Sequence, residues 1–305
     1  MDGKSDKLRW WEVSVLVDGE AAEAVYELFN RYGQGGAVVE QVVGGSEDES
    51  PTSPTALVKA YLPANQKGRE SRRHLEEGLW HLGQLYPVPS PQIRELAQTD
   101  WATAWREQFT VLHVGRRLVI KPTWLTYSPS PGEAIIELDP GMAFGTGLHP
   151  TTRQCLLALE EHLHPGMSVL DLGSGSGILA IAAARLGASE VLALDTDPTA
   201  VEVARANVRA NGVQRRVAVT HGSLHAVQGT FDMLLVNILA QVIIELVAQG
   251  LVDCLKPGGF IVTAGIIEGQ AAGVEAALQE QGMSIVERRM ERDWVSLIAQ
   301  AGQKG

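Results

Sequence analysis

The stretch from Ser168 to Ile298 limits the possible folds more than any other part of the chain. Short apolar runs alternate there with helical patterns: Ser168–Leu172, Glu190–Asp195, Arg216–Thr220, Phe231–Val236, Gly259–Ala264, Ser284–Met290 and Trp294–Ile298. Helices fit between them at about 178–187, 198–211, 240–255 and 269–281, with another opening at Pro150. Near-continuous apolar strands separated by helices describe a parallel sheet covered on both faces. The last two runs are joined only by Glu291–Asp293, too short for a crossover helix, so they are expected to pair antiparallel.

The first of these strands runs into a glycine turn, VLDLGSGSG at 169–177, and then into a helix. Gly173, Gly175 and Gly177 let the backbone turn sharply and approach a ligand, while the helix start presents free N–H groups. A dinucleotide-binding fingerprint would need a glycine at 178, where this chain has Ile178. The GxGxG spacing is instead that of S-adenosylmethionine methyltransferases. About 20 residues further on, the second strand ends at Asp195, placed to bind ribose hydroxyls, and Asp197 before Pro198 is read as a helix cap.

The run FDMLLVNILA at 231–240 ends in Asn237 at the carboxyl edge of the sheet, where open α/β folds bind ligands. Methyltransferases of adenine and of glutamine place an Asn or Asp here, and with a backbone carbonyl it holds the target nitrogen. The aromatic residue that would stack on a flipped base is missing from Asn237-Ile238-Leu239-Ala240. Upstream, DPGMAFGTGLHPTT at 139–152 is a glycine-rich loop entering a helix at Pro150, with Thr152 in its first turn, suited to a carboxylate. His149 is read as a helix-capping or packing residue before a proton acceptor.

Residues 1–98 show a different order, β-α-β-β-α-β, the ferredoxin-like pattern, with no motif that suggests chemistry. A connector over 99–127 holds Trp101, Trp105, Phe109 and Trp124, read as rings that pack a linker. The expected organisation is a small α+β ferredoxin-like domain (1–98), a linker (99–127) and a Rossmann-like seven-stranded methyltransferase domain (128–305).

The 305-residue chain carries 25 Lys and Arg against 36 Asp and Glu, a formal charge of −11. That balance argues against direct nucleic-acid readout and favours a basic protein partner. Cys155 and Cys254 form no framework or metal spacing, so a metal site is not expected, and the charged N-terminus and interrupted apolar runs point to a cytoplasmic protein rather than a membrane one. A monomer is expected.

Taken together, DPGMAFGTGLHPTT, VLDLGSGSGILAIAA, Asp195, VNIL and the preceding TDWATAWREQF resemble, in content and order, the bacterial methyltransferases of large-subunit ribosomal protein eleven. The resemblance implies an S-adenosylmethionine-dependent enzyme that methylates, up to trimethylation, lysine side chains and an α-amino group of that basic protein. It also implies that the ferredoxin-like domain recognises the substrate. By similarity Thr152, Gly173, Asp195 and Asn237 contact the cofactor; Gly175 of the glycine turn and Phe144, Gly145 and Thr146 of the upstream loop are further candidate contacts, and Asn237 with the Ile238 carbonyl is expected to orient the amine. A methyltransferase for another substrate, an NAD-dependent enzyme and a non-catalytic S-adenosylmethionine sensor are the competing readings.

Overall fold

A computed structural model describes residues 9–33, 37–42, 55–84, 86–97, 110–138 and 149–302. The chain divides into two compact units, with the change falling between Phe109 and Thr110.

In the first unit, β1 (Arg9–Asp18), β2 (Ala37–Val42), β3 (Thr55–Pro63) and β4 (Gln92–Ala97) form one antiparallel sheet in the order β2-β3-β1-β4. Helices α1 (Gly19–Tyr32) and α2 (Gln66–Leu82) join them in the ferredoxin-like order that the periodicity predicts. Strand alternation sends Val13, Val15 and Val17 into a core with Val25 and Phe29 of α1 and Leu75 and Leu79 of α2. Each such fully buried side chain contributes about 1.5–3 kcal/mol. The second helix starts where the Asn65 side chain caps it by accepting from Gly68 N at 2.9 Å.

The second unit is built on β8 (Ser168–Leu172), β9 (Glu190–Asp195), β10 (Val217–His221), β11 (Phe231–Asn237), β12 (Leu255–Ile267), β13 (Met283–Glu291) and β14 (Trp294–Ala301). Their order, β10-β9-β8-β11-β12-β14-β13, is parallel except for β14, which runs antiparallel to both neighbours as the short turn requires. Helices α3 (Pro150–His162), α4 (Ile178–Leu186), α5 (Pro198–Ala210), α6 (Ala240–Ala248) and α7 (Glu268–Glu280) accompany the sheet. The reversal of strand order falls between β8 and β11, and the carboxyl ends of those strands there carry the glycine turn and Asn237.

Two expectations are corrected. The helix read over 240–255 stops at Ala248: Gly250 takes φ 95°, a 3-10 turn over Leu251–Cys254 follows, and Leu255 already pairs with Phe231. The linker read over 99–127 is not a connector beyond residue 109. There β5 (Leu112–Val114), β6 (Leu118–Lys121) and β7 (Ala134–Glu137) form a three-stranded sheet whose buried face joins the core of α3 and α4. Asn211 at the end of α5 locks this sheet down: its Oδ1 accepts from Glu137 N at 2.8 Å and its Nδ2 donates to Glu137 O at 2.7 Å. Trp101, Trp105, Phe109 and the acidic stretch of sequence at 46–53 lie outside the described residues. Cys155 is buried in the core, its thiol pushed up by burial, and both cysteines are free. Among the described residues, no helix is long and apolar enough to cross a membrane.

Candidate active site

The glycine turn is held by the strand and helix beside it. Gly173 N and Ser174 N both donate to Leu194 O, at 2.8 and 3.0 Å, and Asn207 Nδ2 of α5 donates to Ser176 O at 2.8 Å. Asp195 closes the arrangement: Oδ2 accepts from Gly175 N at 2.8 Å, and Oδ1 accepts from Asp197 N at 2.9 Å. Asp197 caps α5 by accepting from Thr199 N at 2.8 Å, as its place before Pro198 predicts, and Asp195 ends β9. The three glycines differ in why they are needed. All have positive φ (79°, 53° and 80°), but a side chain at 173 would put its Cβ 2.5 Å from Ile238 Cγ2, and one at 177 would meet Ala204 Cβ at 3.2 Å. Gly173 thus lets the glycine turn and the Asn237-Ile238 turn touch.

Across that contact, Asn237 Nδ2 donates to Thr152 Oγ1 at 3.4 Å. Thr152 is fully buried, so it fixes the carboxamide with its nitrogen turned to α3 and leaves Oδ1 as the acceptor. The start of α3, which carries Thr152, is held by the β13–β14 hairpin. Arg153 pairs with Glu291 at 2.5 Å, Gln154 Nε2 donates to Trp294 O at 3.2 Å, and the His149 ring packs edge-on to Trp294 at 4.9 Å. Farther along the helix, Arg289 pairs with both Glu161 and Glu287.

His149 is the cap of α3. Its Nδ1 accepts from Thr151 N at 3.4 Å and lies 2.8 Å from Thr151 Oγ1. Burial, reinforced by Arg292 and opposed by Glu291, lowers its pKa to about 4, so it does not hold a proton at neutral pH.

Two residues that sequence reasoning overlooked complete the site. Gly265, in β12 at φ 82°, faces the carbonyl of Ile238, and any side chain there would occupy the space of that oxygen. A glycine inside an otherwise apolar strand is the available signal for such a close backbone approach. Asp171, in the middle of β8, is buried, and its Oδ2 accepts from Ala180 N at 3.1 Å. Gly177 begins α4 with no side chain to cap it, and Asp171 takes over that function from the preceding strand. Burial, opposed by the Ala180 bond and aided by the Asp195 charge, raises the Asp171 carboxyl to about 7. An acid inside an apolar strand was the sequence signal for it.

Of the predicted site residues, Thr152, Gly173, Gly175, Asp195, Asn237 and Ile238 are brought to one edge of the sheet. Phe144, Gly145 and Thr146 lie outside the described residues.

A seven-stranded sheet with a reversed last strand, a glycine turn after its first strand, an acid closing the second and an asparagine closing the fourth defines a class I methyltransferase domain. The model of the family described as Ribosomal protein L11 methyltransferase (PrmA) matches residues 9–302, and the chain belongs to that family. It is 46% identical over 319 residues to the ribosomal protein L11 methyltransferase of Chloroflexus aurantiacus, covering 95% of this chain and 97% of that one. It is 43% identical over 315 residues to the protein of the same name from Herpetosiphon aurantiacus, covering 95% and 98%. Among solved structures, the ribosomal protein L11 methylase of Lactobacillus delbrueckii subsp. bulgaricus superposes with a TM-score of 0.58 at 34% identity, over 64% of this chain and 99% of that one.

Proposed function

We propose that the protein transfers methyl groups from S-adenosylmethionine to amino groups of ribosomal protein L11, lysine side chains and the α-amino group among them, up to trimethylation, in the cytoplasm. Membership of the family supports the substrate, and the pairing of Thr152 with Asn237 beside the glycine turn carries the chemistry. The donor set suits the cofactor: a left-handed glycine turn at Gly175, the Asp195 carboxylate for ribose hydroxyls, and the first turn of α3 at Thr152 for a carboxylate. When bound, S-adenosylmethionine supplies a methyl group made electrophilic by its sulfonium.

The protein's part is to present a neutral amine in line with that methyl. A free lysine has a pKa near 10.4, so only on the order of 1 in 1,000 is neutral at pH 7. Desolvation in a closed site favours the neutral form, and its proton leaves to water, since His149 is too weak a base to keep it. Asn237 Oδ1, turned outward by Thr152, and Ile238 O, kept open by Gly265, then accept the two amine hydrogens. That leaves the lone pair pointing at the methyl group, and such positioning supplies most of the rate.

The test is to incubate the protein with methyl-labelled S-adenosylmethionine and total ribosomal proteins. L11 is the band expected to carry label. Asn237→Ala should lower the rate by about 100-fold, the scale of a lost positioning contact, with the melting temperature nearly unchanged. Label on another band removes the substrate assignment, and an undiminished rate in the variant removes the orienting role of Asn237.

A further inference from the structure

The two helices that flank the Asn237 turn begin against the rules for helix starts. Leu239 is the N-cap of α6 and Ile267 the N-cap of α7, and neither offers a capping side chain. Large aliphatic residues are among the poorest N-caps, and these are also open to solvent, at 71% for Leu239 and 49% for Ile267. Val242, at 38%, extends the apolar surface along α6. Both helix starts follow strands that lie side by side: β11 and β12 pair in parallel with Asn237 opposite Ala264, and Gly265 abuts the Ile238 backbone just beyond that pair. Local choices that weaken a fold in two adjacent places mark a surface kept for another purpose.

Its electrostatics indicate the partner. Helices α6 and α7 carry Glu245, Glu268, Glu275 and Glu280 and no Lys, Arg or His. Arg288 reaches Glu268 at 3.9 Å and Glu275 at 3.3 Å and offsets part of that charge, and Arg292 and Asp293 of the hairpin turn lie beside it, Asp293 O accepting from Glu268 N at 2.9 Å. Glu245 lies on the exposed face of α6 with Gln241 and Val242. A membrane surface or a nucleic acid would need cations on these helices. A second copy of a chain of charge −11 would meet its own sign.

We propose that this ledge receives an extended, lysine-bearing segment of the methyl-accepting protein. Apolar side chains and the methylene stems of its lysines lie on Leu239, Val242 and Ile267, and its cationic neighbours lie toward Glu245 and Glu268. The inference rests on the function proposed above and adds where the acceptor segment lies.

The experiment is steady-state methylation of purified L11 by the full-length protein, with binding of S-adenosylmethionine measured separately. Leu239→Ser/Ile267→Ser places a good capping residue at both helix starts, so the fold is preserved or stabilised. The expected result is a KM for L11 raised about tenfold, equivalent to about 1.4 kcal/mol of lost contact, with kcat within about twofold and cofactor affinity unchanged. Glu245→Lys should also raise the KM, and the difference should shrink with added salt. A KM unchanged in both variants overturns the proposal. So does a fall in kcat at constant KM, which would put the ledge in the reacting machinery, or a shift in oligomeric state, which would assign it to self-association. Failure of the wild-type protein to label L11 strikes the proposed function instead, and is read before any variant is compared.

Discussion

The turn after β9 and the turn after β11 both carry the chain from a strand into a helix at the carboxyl edge of one sheet, with opposite chemistry. After β9 come Thr196, Asp197 and Pro198: Asp197 caps α5 at 2.8 Å and Pro198 occupies its first position. After β11 come Ile238 and Leu239, with no cap, a solvent-facing leucine, and Asn237 held by a buried threonine across the site. The first turn follows the local preferences of the backbone. The second gives them up, and its conformation is imposed by Gly173 and Gly265, which approach Ile238 from either side. Local optimisation at one edge position and its loss at the next separate a turn that serves folding from the one to which the proposed function assigns the chemistry.

Gly265→Ala should give the largest effect on this contrast. Its Cβ would take the space of the Ile238 carbonyl at a positive φ, costing about 1–3 kcal/mol of stability. A displaced acceptor should also lower kcat by about 100-fold, measured at a temperature where the variant is fully folded. Retention of wild-type kcat would show that Ile238 O does not hold the amine.

Asp171→Asn gives a pH-dependent effect. The carboxyl is raised to about 7 in the folded protein, so between its ordinary value of 3.8 and about 7 the native state binds more protons than the unfolded one. Its contribution to stability is therefore greatest at low pH and is lost as pH rises through that window. Asparagine keeps an acceptor for Ala180 N without titrating, so its melting temperature relative to wild type should climb from pH 5 to pH 8. A difference that is flat with pH would mean that Asp171 is ionised throughout.

Asp197→Ala should have the smallest effect, about 1 kcal/mol of stability from the lost cap. Methylation of L11 should stay within about twofold of wild type when assayed well below the melting temperature. A large loss of activity would mean that the β9 turn is part of the chemistry.

Much of this could be read in the residues. The apolar runs of the larger sheet appear at their predicted places because burial acts on each strand locally. The Asp195 and Asp197 pair was readable because a cap and a strand-end acid each follow from a neighbour a few residues away. The reading failed where a distant contact competes with a local pattern. Helical periodicity continued past Ala248, but Gly250 and the pairing of Leu255 with Phe231 end the helix there. The aromatic-rich stretch read as a linker gains two strands after Thr110 because α3, α4 and Asn211 supply a core for them.

By itself, the sequence determined the alternation of strands and helices, the glycine turn, and which polar residues end the apolar strands, since all of these depend on spacing along the chain. Only the tertiary structure decided that Thr152 orients Asn237, that Asp171 caps a helix it does not belong to, and that Gly265 keeps a carbonyl open. Thr152 meets Asn237 only when α3 packs at the end of β11, Asp171 meets Ala180 only once the glycine turn folds α4 back onto β8, and Gly265 meets Ile238 only across the β11–β12 pairing; none of these contacts leaves a period in the sequence.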